Sequence, residues 1–253
     1  MTNGFPATEP LAEGDVGPGT WSMYQDTDTF IITNRTSVNF PISINVTGTV
    51  ISATGTNWLF VDHDNTNNTE ALSYVVPGGS GSTFYKMQLT AFVRTTALNT
   101  SAGDVNLDFL LLDGNPFSYA QLVCASDSGP VYFKAHVNGA NGGLIEIQRN
   151  HLYFVSLYRS DADGLARVKV WDAENNYALV GTSTSTGMAT SGNSWWVRVQ
   201  ANYYDTTHVL TGWTEIAGLA TIFGPDANDN APVTTPVTTV NAGTVNAGTL
   251  VIQ

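Results

Sequence analysis

Polar and apolar residues alternate along this chain. In "YKMQLTAFVRT", Met87, Leu89, Ala91 and Val93 take one side of a two-residue period; Lys86, Gln88, Thr90 and Arg94 take the other. In "LARVKVW", Ala166, Val168 and Val170 oppose Arg167, Lys169 and Trp171. A period of two marks a strand, because successive side chains leave opposite faces of a sheet. "HLYFVSLY", His151 to Tyr158, is apolar on both sides of the period, which predicts a central strand covered on both faces.

Comparable runs fall near residues 28–33, 40–52, 57–62, 71–76, 84–95, 104–112, 117–125, 130–137, 143–148, 151–159, 165–172, 177–183, 194–204 and 215–223, split by Gly, Asn and Asp clusters. No helical period persists beyond two turns. "LLLDGNPFSY" sets Asp113-Gly114 between two apolar runs, a tight hairpin signal. Many short strands between turn residues predict an all-β, antiparallel β-sandwich over residues 21–224. Residues 1–20, rich in Pro, Gly and acid, read as an extended arm. Residues 225–253 read as a linker and a β-prone tail with "NAGT" at 241–244 and again at 246–249.

Composition narrows the function classes. Charged residues make up 12%, about half the usual share. Lysine occurs at Lys86, Lys134 and Lys169 alone, and Thr, Asn, Ser and Gly stand in place of charge. The net charge of −12 offers no cationic stripe to displace counterions, so nucleic acid is not an expected partner. No apolar run reaches the roughly 18 residues of a spanning helix, so no membrane insertion is expected. "MTNGFPATEPLAEGDVGPGTW" has no basic segment followed by an apolar one, so no Sec signal peptide is expected. Cys124, the one cysteine, allows no internal disulfide and reads as a small buried hydrophobe in "YAQLVCAS".

The run from "HLYFVSLYR" through "SDADG", "ARVKVWD" and "AENN" to "YALVG" resembles the middle of concanavalin A-like (laminin G-like) jelly rolls. "TGWTEIAGLATIF" (211–223) looks like their closing strand, and "FYKMQLTAFVRT" like the early strand that crosses the core. The resemblance covers roughly residues 70–223 and is one of strands and turns, without invariant residues. It implies a jelly roll whose members bind sugars, bind proteins or hydrolyse glycans, so the fold alone decides little. The glucanase branch carries E-x-D-x-E on one strand, and no such string occurs here. A non-enzymatic protein is therefore expected.

Two strings invite calcium. "DHDNTNNTE" offers Asp62 and Asp64 as oxygen donors, without the EF-hand spacing. "DANDNAP" offers Asp226, Asn228 and Asp229; it resembles the linker between cadherin repeats, but no cadherin domain flanks it. Both strings also read as Asx-rich turns. In "WWVRVQANYY", Trp195, Val197, Val199, Ala201 and Tyr203 form a core face. The other face shows Trp196, Arg198, Gln200, Asn202 and Tyr204, with each same-face step about 7 Å. Aromatic rings spaced by amides and a guanidinium suit a glycan, a subunit interface or packing under a loop. Arg167, Lys169 and Trp171 would extend that face from another strand. The expected function is a structural surface protein of a larger assembly, such as a bacteriophage capsid decoration or fibre component. Its partners would be other subunits in a homo-oligomer and cell-surface glycans, on a virion surface or outside the cell. A soluble carbohydrate-binding module is the alternative, and a glycoside hydrolase comes third.

Overall fold

The computed structural model describes the strands named below and, with their side chains, residues 86–96, 130–137, 139–160, 162–187, 214–216 and 227. In chain order the strands are β1 (Thr2–Asn3), β2 (Trp21–Met23), β3 (Phe30–Asn34), β4 (Ile42–Val46), β5 (Thr49–Ser52), β6 (Asn57–Asp62) and β7 (Glu70–Val75). Next come β8 (Lys86–Thr95), β9 (Leu98–Asn99), β10 (Val105–Asp113), β11 (Ser118–Cys124), β12 (Val131–Val137), β13 (Ala140–Asn141) and β14 (Ile145–Ile147). The last are β15 (Tyr153–Ser160), β16 (Leu165–Asp172), β17 (Ala178–Thr186), β18 (Trp195–Asn202), β19 (Leu210–Thr211), β20 (Trp213–Phe223) and β21 (Val233–Pro236).

Two antiparallel sheets form the sandwich. The first runs β17-β16-β15-β8-β20-β6-β3, and the second β13-β12-β11-β10-β18-β7-β2. The fold is the all-β antiparallel sandwich that the alternation predicts. β15 lies between β8 and β16, and all eight of its residues are buried, as its unbroken apolar run requires. The predicted run at 40–52 is two strands, β4 and β5, paired with each other. Two strands come from outside 21–224: β1 pairs with β20, and β21 with β4.

Register fixes the core. Met87, Leu89, Ala91 and Val93 align with Arg159, Leu157, Val155 and Tyr153, and these in turn with Ala166, Val168, Val170 and Asp172. Ser183 and Ser185 continue this side on β17 and reach the second sheet: the Ala135 amide donates to Ser183 Oγ at 2.9 Å, and Ser185 Oγ donates to the Ala140 carbonyl at 2.8 Å. The inner side of the second sheet carries Val131, Phe133, Ala135 and Val137, all buried. Burying one such side chain stabilises by about 1.5–3 kcal/mol. Gly142 closes the seam between the sheets, its amide donating to the Ala135 carbonyl at 2.8 Å. A Cβ there would strike Ser183 Oγ and come 2.8 Å from the Thr184 carbonyl oxygen, so the approach needs glycine.

The polar side of β8 is covered as well: Gln88 and Thr90 are as buried as the apolar side.

At the β12–β13 hairpin the Gly139 amide donates to His136 Nε2 at 3.0 Å. Nε2 is then an acceptor, so Nδ1 carries the proton and donates to Asn141 Oδ1 at 2.8 Å. Burial, partly offset by the Asn141 hydrogen bond, pushes the imidazole below its ordinary value, and Lys134 lowers it further. The folded chain therefore binds this proton less tightly than the unfolded one. The contribution of His136 to stability is whole above about pH 6.5 and is lost as pH falls through the lower folded value. Hydrogen exchange of the Gly139 amide should accelerate on acidification relative to core amides, and His136→Gln should flatten that response.

Candidate functional site

The outer side of the first sheet is a grid of cross-strand rows. Trp171, Phe154 and Phe92 make one row. Thr182, Lys169, Ser156 and Thr90 make the next, and Thr184, Arg167, Tyr158 and Gln88 the one after. The aromatic row is packed, with Phe154 5.2 Å from Phe92 and 5.7 Å from Trp171 between ring centroids. Tyr177, in the turn between β16 and β17, leans over it at 6.4 Å from Phe92 and 6.5 Å from Phe154. Its φ of 55° is left-handed, an uncommon conformation for an aromatic residue.

That turn is anchored by its own carboxylates. Asp172 Oδ1 accepts from the amides of Glu174 and Asn175, each at 3.0 Å, an Asx turn. His151 joins it, Nε2 lying 2.7 Å from Asp172 Oδ1 and Nδ1 3.1 Å from Glu174 Oε2, while Glu174 Oε1 accepts from the Leu152 amide at 3.0 Å. The cluster fastens two turns together and so fixes where Tyr177 stands.

Beside the aromatic row the grid is polar. Gln88 Nε2 donates to Ser156 Oγ at 3.0 Å. Among the described residues, Gln88 Oε1 and Thr90 Oγ1 are buried with no hydrogen-bond partner. Arg167 Nε donates to Thr184 Oγ1 at 3.1 Å. Arg167 and Lys169 are half-buried, and Thr182, Thr184 and Thr186 are exposed, so β16 and β17 bring hydroxyl and cationic donors to the surface. Across β8, β15, β16 and β17 this side carries no carboxylate. On β20, Glu215 is fully buried and accepts from Arg94 Nε at 2.9 Å and Nη2 at 2.6 Å.

Burial pushes the Tyr177 hydroxyl up to about 12, and burial above all raises Tyr153 as well. Both hold their protons more tightly when folded than the unfolded chain does near pH 10. Stability is therefore full below about pH 10 and falls as pH rises toward the folded values. Thermal unfolding across this alkaline window should show a falling midpoint, and Tyr177→Phe should make the fall shallower.

The structure separates the residues that the sequence grouped. β16 lies in the first sheet and β18 in the second. Arg167, Lys169 and Trp171 therefore do not extend the face of Trp196, Arg198, Gln200 and Asn202. Register puts Arg198, Gln200 and Asn202 in rows of the second sheet that end on His136, Lys134 and Tyr132. Gln200 lies in a row with Asp108, Gln121 and Lys134. Tyr204 lies outside the described residues. Trp171 is in the packed aromatic row rather than at the surface, being 3% exposed. Of the calcium candidates, Asp62 ends β6 opposite Trp213. Asp64, Asp226, Asn228 and Asp229 lie outside the described residues. Sequence reading did not single out Gln88, Thr90, Ser156 or Thr184; the one signal available was their position on the polar side of alternating strands.

No protein-family description matches the chain, and no curated protein does. Similar solved structures include a sialidase, with a TM-score of 0.49 and 15% identity over 81% of this chain and 17% of that one. The CBM2 module of Lactobacillus casei BL23 phage J-1 evolved Dit is 13% identical with a TM-score of 0.42, covering 78% of this chain and 92% of the module. Basic winged bean lectin, solved with Tn-antigen, is 13% identical with a TM-score of 0.42, covering 75% of this chain and 98% of the lectin. This chain thus spans 17% of the length of the sialidase. No helix among the described residues is long and apolar enough to cross a membrane.

Proposed function

We propose that this chain is a non-enzymatic recognition domain, carried on the surface of a larger assembly such as a virion, that binds glycans through the outer side of its first sheet. The observation that supports this reading is the polar strip over β16 and β17. Arg167, Lys169, Thr182 and Thr184 reach the surface there beside the Trp171–Phe154–Phe92 row. Hydroxyl and guanidinium donors in a sheet-fixed array suit a ligand rich in hydroxyls, and the two cations add affinity for acidic sugars. Glycoside cleavage commonly uses two carboxylates across the scissile bond, and this strip has none.

Glycan-array binding of the full chain tests the reading. The wild type should retain at least one glycan class, and Arg167→Ala/Lys169→Ala should abolish the signal while circular dichroism stays unchanged. If Trp196→Ala/Tyr204→Ala abolishes binding instead, the face on the second sheet is the site. An array with no signal above background would overturn glycan recognition itself.

A further inference from the structure

Two turns meet beside the aromatic row: residues 148–152, between β14 and β15, and residues 173–177, between β16 and β17. They hold the left-handed non-glycine residues found among the described ones, Asn150 (φ 57°), Asn176 (φ 51°) and Tyr177 (φ 55°). Asparagine enters that region at little cost, whereas tyrosine seldom does. Such a backbone persists only where surrounding contacts hold it. Backbone bonds give part of the hold: the Ala173 amide donates to the Leu152 carbonyl at 3.1 Å, and the Ala178 amide to the Asn175 carbonyl at 3.0 Å. His151 adds side-chain contacts from one turn to the other.

Those contacts set a proton count. Nε2 lies 2.7 Å from Asp172 Oδ1, and Nδ1 lies 3.1 Å from Glu174 Oε2. A neutral imidazole has one N–H and one bare lone pair; only the imidazolium carries hydrogen on both nitrogens. With a neutral ring, one lone pair would face a carboxylate oxygen, a repulsive contact. Asp172 Oδ1 is pinned by the amides of Glu174 and Asn175 and keeps the shorter contact. Glu174, whose side chain is 48% exposed, is the partner able to leave. In leaving, it gives up the Leu152 amide, which donates to its Oε1 at 3.0 Å. Tyr153 also faces His151, with ring centroids 4.9 Å apart, and Arg149 stands two positions earlier on the same turn. Burial raises the Tyr153 hydroxyl, so it stays protonated over about pH 5 to 8, where histidine changes charge. A guanidinium does not titrate in that range.

We infer that His151 is a proton-operated latch between the two turns, closed while its ring carries both protons and open on the Glu174 side once the ring is neutral. Tyr177 rides on the second turn, over Phe92 and Phe154, so the latch sets how firmly the aromatic row is covered. It works in the same way whatever the domain binds.

The test is magnetic resonance of the full chain over about pH 5 to 8. At the acid end the His151 nitrogen shifts should report hydrogen on both ring nitrogens. As the second proton leaves, the Leu152 amide should lose about three- to fivefold of its exchange protection, corrected for the intrinsic pH dependence of exchange. The Ala178 amide should loosen with it. The Gly139 amide at His136 moves the opposite way, so the two histidines separate in one experiment. Glu174→Gln tests the proton count itself. Its amide oxygen can accept from Leu152 while its NH2 group donates to a bare Nδ1, so the alkaline loss of protection should vanish, with unchanged far-ultraviolet circular dichroism. A wild-type Leu152 amide equally protected at both ends would overturn the latch. So would a neutral His151 ring in the protected form, or a Glu174→Gln variant that keeps the wild-type loss.

Discussion

Replacing Phe154 by alanine is expected to destabilise the fold by about 3–5 kcal/mol, the largest single-residue loss in the described core. Phe154 is 1% exposed on the most buried strand. Its ring touches Phe92, Trp171 and Tyr177, which come from three different segments. Truncation removes the transfer free energy of the ring and also leaves a cavity that strands held in register cannot collapse. Chemical denaturation should show a lower midpoint with an unchanged slope. Phe154→Leu should retain more than half of the lost stability, since it refills much of the volume. A loss under about 1 kcal/mol for the alanine variant, the size of an ordinary surface change, would mean that the aromatic row is not packed as described.

Arg94→Ala is the second. Arg94 and Glu215 are opposite residues on β8 and β20, and Glu215 is fully buried while the Arg94 side chain is 27% exposed. Removing the guanidinium takes an ion-pair partner from a buried carboxylate, which costs about 3–5 kcal/mol. The pair itself is a weak source of net stability, because desolvation opposes its attraction. Arg94→Met/Glu215→Leu should therefore recover most of what Arg94→Ala loses, and a double-mutant cycle would read the coupling directly. An additive cycle, with coupling near zero, would show that the two groups do not interact. The adjacent hydroxyls of Thr95 and Thr214, 2.7 Å apart, lie on the core side of the same strands and should be insensitive to both changes.

Much of the fold is legible in the sequence because strand periodicity is local. β8, β15 and β16 show which side chains share a side, and β15 reveals its central place by having no polar side. Short elements such as β2, β9, β13 and β19, of two or three residues, leave no period to detect. The sheet to which a strand belongs is equally invisible. β16 and β18 alternate alike, yet β16 pairs with its chain neighbours β15 and β17, while β18 pairs with β10 and β7, far back in the chain, so they lie in opposite sheets. This is why Arg167 and Arg198 looked like parts of one surface. Arg94 and Glu215 are 121 residues apart, and neither hints at the other in sequence. Gln88 and Thr90 read only as the polar side of a strand, because a period of two gives sidedness and says nothing of what lies over each side.

The irregularity between Val170 and Trp171 has a consequence for length variation. Leu179 aligns with Trp171 and Gly181 with Val170, so Val180 is the surplus residue in that ladder. A chain lacking Val180 would keep the correct sidedness before and after the gap, and its core would be intact. What it would lose is the local kink that stops the rim from being flat along its full length. The β16–β17 ladder would then run unbroken from Ala178 to Thr186.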